Sequence, residues 1–180
     1  MFQKAKPIVV KELEGVMNGF ATFAAQVDSL SGAELHICAA DFYRASVNGH
    51  FVAFGPARTA KGYARMDCIP LDGLGRKCGN QIIISVAGYR CCSLSTVRQP
   101  MFLWAEVVRN GKVLAATGAD FDCYLSDAKN AKTARYSVQR HFVEEWDLRE
   151  SLFGRSVKTA VMENPPKVID RMAPYPAYVD

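Results

Sequence analysis

The 180-residue sequence predicts an all-β protein, an antiparallel β-sandwich with one or two short helices. Short β-prone runs recur along the chain, and residues that favour turns, mainly Gly, Pro and Asn, separate them. Asn48-Gly49 and Asn110-Gly111 each lie between two such runs, and an Asn-Gly pair favours the type I′ turn of a β-hairpin. The hydrophobic fraction of 49% is ordinary for a globular domain.

The two predicted hairpins cover residues 42–54 and 102–116. Further strands are predicted at residues 20–27, 35–39, 64–69, 81–87, 121–125 and 137–146. The run 81–87, QIIISVA, is apolar on both faces at its centre, which is typical of an interior strand.

Helical signals are few. Residues 11–18 predict a short helix that Gly15 weakens, and residues 127–135 predict another, with Asp127 as N-cap but without an apolar stripe. The end of the chain is rich in Pro, which favours extended backbone. We therefore predict one β-sandwich domain over residues 1–160 and an extended tail or linker over residues 161–180.

The charge balance argues against nucleic acid as a partner. Lys and Arg number 22 against 18 Asp and Glu, and a net charge of +4 is well short of a nucleic-acid-binding protein. The basic segments 58–65 and 129–140 are interpreted as solvated faces or a domain interface.

No apolar run approaches the roughly 20 residues of a membrane helix, and the first ten residues lack the apolar core of a signal peptide. We expect a cytoplasmic protein with its six cysteines reduced, and no nucleic-acid or membrane partner.

The sequence contains no recognisable metal or cofactor motif. Cys-x-x-Cys, the nucleophile elbow Gly-x-Ser-x-Gly, a phosphate loop and a dinucleotide fingerprint are all absent. His36, Cys38 and His50 would have to converge across a sheet to bind zinc or to activate a thiol. We predict no cofactor, no metal and no catalytic residue.

One acidic group is dense enough to consider for catalysis, residues 144–147, EEWD. On a strand, Glu145 and Asp147 would share one face, about 6.6 Å apart. Glycosidases place their two carboxyl groups on opposite sides of the sugar, which neighbours on one strand do not easily do. A stand-alone enzyme that uses Glu145 and Asp147 is therefore the less favoured alternative.

Several tyrosines lie beside forked polar side chains, a combination that suits sugars, which present apolar C–H faces ringed by hydroxyl groups. The competing interpretation is that these are core tyrosines with structural ion pairs. The candidate carbohydrate-binding residues are Arg58, Tyr63, Arg65, Asp67, Tyr89 and Gln99.

Ordered motifs along the chain resemble those of a known family. They are VNG, GPAR, GYARMD, VAGY and QPMF, at residues 47–49, 55–58, 62–67, 86–89 and 99–102, followed by AATG at 115–118 and RYSVQR at 135–140. Over residues 40–147 the sequence resembles the N-terminal β-sandwich region of bacterial α-L-rhamnosidases, the family 78 glycoside hydrolases. Lys61 and Arg90 depart from the family pattern, which has histidine and asparagine there.

The resemblance implies a jelly-roll sandwich similar to galactose-binding domains. It also implies that the catalytic acids of such an enzyme lie in a separate (α/α)6 barrel, which this chain is too short and too poor in helices to contain; the chain would be a truncated enzyme or a lone module. The leading hypothesis is a non-catalytic accessory domain that packs on the catalytic domain of the parent enzyme and contacts a rhamnose-containing glycan. The alternative is an independent carbohydrate-binding module.

Two structural features distinguish these hypotheses. An exposed apolar patch favours the accessory domain, because a docking face stays uncovered without its partner. A concave site lined by Arg58, Tyr63 and Tyr89 favours the binding module.

Overall fold

Residues 1–176, the part of the chain described by the computed structural model, form thirteen β-strands. In chain order they are β1 (Ile8–Val10), β2 (Gly19–Val27), β3 (Ala33–Ala40), β4 (Phe42–Val47), β5 (His50–Gly55), β6 (Tyr63–Pro70), β7 (Asn80–Gly88), β8 (Phe102–Arg109), β9 (Lys112–Ala116), β10 (Asp122–Leu125), β11 (Arg155–Val157), β12 (Thr159–Val161) and β13 (Lys167–Asp170).

The strands form two sheets. Sheet A has the order β12-β1-β8-β3-β6-β13, with β9 paired to β8, and sheet B has the order β11-β10-β2-β7-β4-β5. Neighbouring strands are antiparallel except β13, which runs parallel to β6. The predicted antiparallel β-sandwich is confirmed, and β7, the predicted interior strand, lies between β2 and β4.

The core fills the space between the two sheets. Ile82 and Ile84 of β7 are fully buried, as are Leu35 and Ile37 of β3 and Val107 of β8. Alternate residues of a strand point to opposite faces, so each of these strands turns one face to the core and the other outward. Each such aliphatic side chain stabilises the fold by roughly 1.5–3 kcal/mol.

Both Asn-Gly hairpins form as predicted. The φ angles are 53° at Asn48 and 87° at Gly49, and 48° at Asn110 and 75° at Gly111, the left-handed region that a type I′ turn requires at both central residues. The Asn48 side chain also donates to the backbone oxygen of Leu74 at 3.0 Å, which fixes a neighbouring loop to the turn.

The predicted helices are wrong. Residues 11–18 contain only a 3-10 turn, Lys11–Leu13, and residues 127–135 contain no helix. The physical reason is that residues 127–135 have no apolar stripe with which a helix could dock. Instead Ala128 and Lys129 are buried against the outer face of sheet B.

The strand predicted at residues 137–146 is also absent, since this segment forms only isolated bridges, Lys129 with Trp146 and Arg135 with Phe142. It lies over a sheet face and not at a sheet edge, so no strand is available to pair with its backbone. Residues 127–153 form an irregular layer over the outer face of sheet B, which we name the cover segment.

The predicted tail takes part in the fold. Strand β13 pairs with Tyr63–Met66 of β6, and Val168 packs against Ala64 and Met66 on the outer face of sheet A. The interpretation of residues 167–170 as tail is therefore corrected, because their apolar side chains have a sheet face on which to pack. Residues 177–180 of the predicted tail lie outside the described residues.

Candidate functional site

Three of the six predicted sugar-binding residues come together at one end of the sandwich. Arg58, Tyr63 and Gln99 line a cleft that also includes Asp41. The cleft has a volume of about 20 Å³, which is room for a single water molecule and not for a sugar ring.

Asp41 has a structural role in this cleft. Its Oδ2 accepts the backbone N–H groups of Tyr89 at 2.7 Å and Arg90 at 3.2 Å, and burial raises the pKa of its carboxyl group to about 6. Arg90 has a φ of 51°, a left-handed conformation that asparagine adopts more readily than arginine.

Arg65 and Asp67 are used to join β6 to the end of the chain. The buried Asp67 accepts hydrogen bonds from the Tyr43 hydroxyl group and, at 2.8 Å, from Nη1 of Arg171. Arg65 donates to the backbone oxygens of Arg58 at 3.0 Å and Arg171 at 2.6 Å. These bonds orient both side chains toward the protein's own backbone and side chains.

Tyr89 belongs to another part of the molecule. It is 4% exposed, its hydroxyl group donates to Oε1 of Glu144 at 2.7 Å, and its ring stacks on His141 at 4.2 Å. Burial, followed by the bond to Glu144, raises the pKa of the tyrosine above its usual range. The structure therefore places Tyr89 under the cover segment and not with Arg58 and Tyr63.

A larger concave site lies between the outer face of sheet B and the cover segment, and one of the six predicted sugar-binding residues, Tyr89, lines it. It has a volume of about 390 Å³, and we name it the sheet-B groove. The sheet contributes the floor and the cover segment contributes one wall. The lining residues used below are Phe20, Phe42, Arg44, Phe54, Ser85 and Ala87 from the sheet, Tyr89 directly after β7, and Glu144, Trp146 and Leu148 from the cover segment.

The strand register explains why the groove exists. Ala87 of β7 lies opposite Phe42 of β4 on one side and opposite Phe20 of β2 on the other. Ser85 likewise pairs with Arg44. The central strand thus presents small side chains between larger ones, and the space above them stays open.

Aromatic rings form the sides of the groove. Phe42 and Phe54 stack with their centroids 5.4 Å apart and an angle of 23° between the rings. Trp146 meets Phe20 edge to face at 4.9 Å, and its Nε1 donates to Oε2 of Glu144 at 3.1 Å. Glu144 therefore holds both Tyr89 and Trp146, and connects the cover segment to the sheet.

The acidic pair singled out from the sequence does not share a site. Glu145 is exposed and its Oε1 accepts from Nδ2 of Asn130 at 3.3 Å, whereas Asp147 lines the groove and pairs with Arg149 at 2.6 Å. Hydrogen bonds from Arg149 hold the pKa of Asp147 below its usual value, which disfavours a role as general acid. Glu144 and Trp146, from the same four residues, are the ones that shape the groove.

The residues considered for metal or thiol chemistry are dispersed. His36 and Cys38 lie on β3 in sheet A, whereas His50 lies on β5 in sheet B. Among residues 1–176 no three metal-ligating side chains cluster. Burial raises the pKa of the Cys38 thiol, and that of Cys123 to about 12, so both are protonated at neutral pH.

The surface of the cover segment is unusually apolar. Large apolar side chains of the cover segment are exposed, with 92% of Leu148, 78% of Val138 and 75% of Tyr136 accessible to solvent. In the described part of the chain, no helix has the length and apolar character needed to cross a bilayer.

Comparison with solved structures identifies proteins of similar fold. Family 78 rhamnosidase of Bacillus sp. GL1 matches with a TM-score of 0.83 at 23% sequence identity, over 97% of this chain and 20% of that chain. The α-L-rhamnosidase from Dictyoglumus thermophilum matches with a TM-score of 0.67 at 14% identity, over 93% of this chain and 22% of that chain. A lectin from Pleurotus ostreatus matches with a TM-score of 0.50 at 16% identity, over 89% of this chain and 42% of that chain.

No protein-family model matches the sequence, and no curated protein sequence matches it. The chain spans about one fifth of the length of the rhamnosidases. The resemblance predicted from the sequence motifs is confirmed at the level of fold: the chain has the β-sandwich fold of one segment of family 78 rhamnosidases.

Proposed function

We propose that this chain is the N-terminal, non-catalytic accessory domain of an α-L-rhamnosidase-like glycoside hydrolase. The observation that carries the proposal is the match to the Bacillus sp. GL1 rhamnosidase, which includes nearly all of this chain but only one fifth of that enzyme. A segment of that size leaves most of the enzyme to other domains, and catalysis is assigned to those.

The surface of the cover segment supports a docking role. Leu148, Val138 and Tyr136 expose apolar area that a partner would remove from water. The separation of Glu145 from Asp147 supports the absence of catalysis in this chain, because glycoside hydrolysis needs two carboxyl groups on opposite sides of one sugar. We propose the catalytic domain of the parent enzyme as the partner of this surface.

The purified chain tests the proposal. We expect no release of the aryl group from an aryl α-L-rhamnoside, with the Glu145→Ala variant as the matched control. Turnover by the chain that is lost in Glu145→Ala would show that it is an enzyme in its own right. The adjoining coding sequence gives a second test, since we expect it to encode a helical catalytic domain that binds this chain when produced separately.

An independent carbohydrate-binding module is the second candidate function, and the sheet-B groove together with the lectin-like fold favours it. The two functions differ in what the isolated chain binds. A module binds glycan and has no affinity for a catalytic domain, whereas an accessory domain binds the catalytic domain.

A further inference from the structure

We propose that the sheet-B groove binds a pyranose sugar of a glycan, through the rings of Phe42 and Phe54 and the charged groups of Arg44 and Glu144. The proposal rests on the proposed function for the choice of glycan as ligand. It moves sugar recognition from the small cleft of Arg58, Tyr63 and Gln99 to the outer face of sheet B, where Tyr89 is the predicted sugar-binding residue that lines the groove.

The size of the groove separates the two sites. Small-molecule sites in proteins have volumes of roughly 300–1,000 Å³, and the groove, at about 390 Å³, lies in that range. The cleft beside Asp41, at about 20 Å³, does not.

The aromatic side suits the apolar face of a sugar. Phe42 and Phe54 lie on adjacent strands and stack on each other, with centroids 5.4 Å apart and 23° between the rings, so the stack gives the groove an aromatic side. Phe54 is 45% exposed, which leaves part of this surface accessible to a ligand. A flat aromatic surface of this kind packs against the C–H groups of a pyranose ring.

The polar groups supply both donors and acceptors. Arg44 is exposed, its guanidinium group lies 5.2 Å from the centroid of Phe51, and no carboxylate within residues 1–176 lies at ion-pair distance from it. Each oxygen of Glu144 accepts one bond from the protein, and a carboxylate has about four acceptor positions, so two remain for sugar hydroxyl groups. A sugar hydroxyl group can both donate and accept a hydrogen bond, and the groove offers Arg44 as a donor and Glu144 as an acceptor.

The position of the groove argues against a bound peptide strand. It lies on the face of sheet B above β4 and β7, whose backbone groups pair with each other and with β5 and β2. The edge strand β5 reaches the groove only through the side chain of Phe54. A peptide that adds to a sheet needs a free edge. A sugar binds through side chains alone, and side chains are what the groove presents.

The two tryptophans of the chain provide a test with an internal control. Trp146 lines the groove, whereas Trp104 packs against Phe2 on the outer face of sheet A. We would titrate ¹⁵N-labelled protein with L-rhamnose, methyl α-L-rhamnoside and D-glucose and follow the two indole N–H signals, assigned with Trp104→Phe. We expect a saturable shift of the Trp146 signal at millimolar concentration of at least one sugar, and no shift of the Trp104 signal.

Side-chain variants then locate the site. Arg44→Gln and Phe54→Ala should each weaken sugar binding by about tenfold or more. A single cooperative unfolding transition and an unchanged Trp104 signal show that the fold is intact, although Phe54→Ala should lower the unfolding temperature because it removes the stack on Phe42. Tyr63→Ala removes a comparably exposed aromatic ring outside the groove and is the matched control. Its affinity should stay within about twofold of the unsubstituted chain.

Three results would overturn the proposal. One is the absence of a Trp146 shift with every sugar up to roughly 100 mM. Another is loss of binding in Tyr63→Ala but not in Arg44→Gln or Phe54→Ala, which would assign binding to the small cleft. The third is a Trp146 response to a separately produced catalytic domain but not to sugar, which would make the groove a domain interface. The first two results leave the proposed accessory function unchanged and the third would support it, so failure of the sugar site is distinguishable from failure of the accessory function.

Discussion

The outer faces of the two sheets are covered in different ways. On sheet A, the first residues of the chain lie directly on the sheet, and a small second core forms beneath them from Cys38, Met66 and Phe102. On sheet B, the irregular cover segment leaves a groove of about 390 Å³ above Ser85 and Ala87. The centre of the outer face is closed on sheet A and open on sheet B, while a further cavity of about 520 Å³ lies beside β1 and β12 at the edge of sheet A.

The closed face depends on a single buried carboxylate. Glu106 of β8 is completely buried and accepts the backbone N–H groups of Gln3, Lys4 and Ala5 at 2.9–3.1 Å. Trp104 adds a hydrogen bond from its Nε1 to the backbone oxygen of Ala5 at 2.9 Å. Because these bonds hold consecutive backbone groups, the N-terminal residues are drawn onto the sheet along their length.

The open face is held through separate side chains. The hydroxyl group of Tyr89 bonds to Glu144, Lys129 bonds to the side chain of Asn18, and Trp146 packs on Phe20. These contacts hold the cover segment to the sheet only at a few side chains, and the backbone between those side chains does not contact the sheet closely. The cover that is bonded through consecutive backbone groups thus closes the centre of its sheet face, whereas the cover that is bonded through isolated side chains leaves a cavity above the centre of its sheet.

The largest effect is expected from Glu106→Ala, which would open the closed face. It leaves the N–H groups of residues 3–5 without their acceptor and creates a cavity, so the free energy of unfolding should fall by about 3 kcal/mol or more, measured by urea denaturation. Glu34→Ala is the control, because Glu34 has an exposed side chain on the same face of sheet A. An equal loss of stability in both variants would contradict the role of Glu106.

A somewhat smaller effect is expected in the pH dependence of the free energy of unfolding. It arises from Asp41, which lies at the junction of the two sheets, between β3 of sheet A and β4 of sheet B. Folding raises the pKa of Asp41 from an ordinary 3.8 to about 6, so the folded protein binds more protons than the unfolded chain between these values. The contribution of Asp41 to the free energy of unfolding is therefore fully present below pH 4. It is lost as the pH rises through 6, a decrease of about 3 kcal/mol at most.

The Asp41→Asn variant isolates this contribution, since an amide oxygen can still accept from the N–H of Tyr89. We expect the stability difference between this variant and the unsubstituted chain, measured by denaturation from pH 4 to pH 7, to change in favour of the variant as the pH rises. A difference that does not vary with pH would contradict the raised pKa.

A smaller effect is expected from Tyr89→Phe, which would loosen the open face. It removes one hydrogen bond to Glu144 and keeps the stack on His141, so global stability should fall by about 1 kcal/mol. Limited proteolysis within residues 127–153 should become faster, while cleavage near the N-terminus should not. Tyr136→Phe is the control, because Tyr136 is 75% exposed on the same segment.

The smallest effect on stability is expected from Leu148→Ser, at less than about 0.5 kcal/mol, because 92% of this side chain is exposed. This variant tests what the open face does. If the cover segment docks on a catalytic domain, the variant should bind that domain more weakly in a titration while unfolding at an unchanged temperature. Unchanged affinity would place the docking surface elsewhere.

Much of the sandwich could be predicted from local sequence. The strand at residues 81–87 is predicted from a short apolar run, and both hairpins from the backbone preferences of Asn-Gly pairs. Neither prediction requires knowledge of distant parts of the chain. The acidic group at residues 144–147 was also recognisable as unusual. Its meaning was not, because Glu144 acquires its role from Tyr89 and not from Glu145 or Asp147.

Forces that act within a few residues therefore account for the fold class, the interior strand and the hairpins, and these features can be read from the amino-acid sequence. The path of the cover segment, the parallel pairing of β13 with β6 and the position of the groove arise only in the folded chain. Those features depend on contacts between residues far apart in the chain, such as Phe20 with Trp146, and on small side chains of β7 being placed between aromatic neighbours by register. Only folding brings such residues together, so no local pattern marks them in advance.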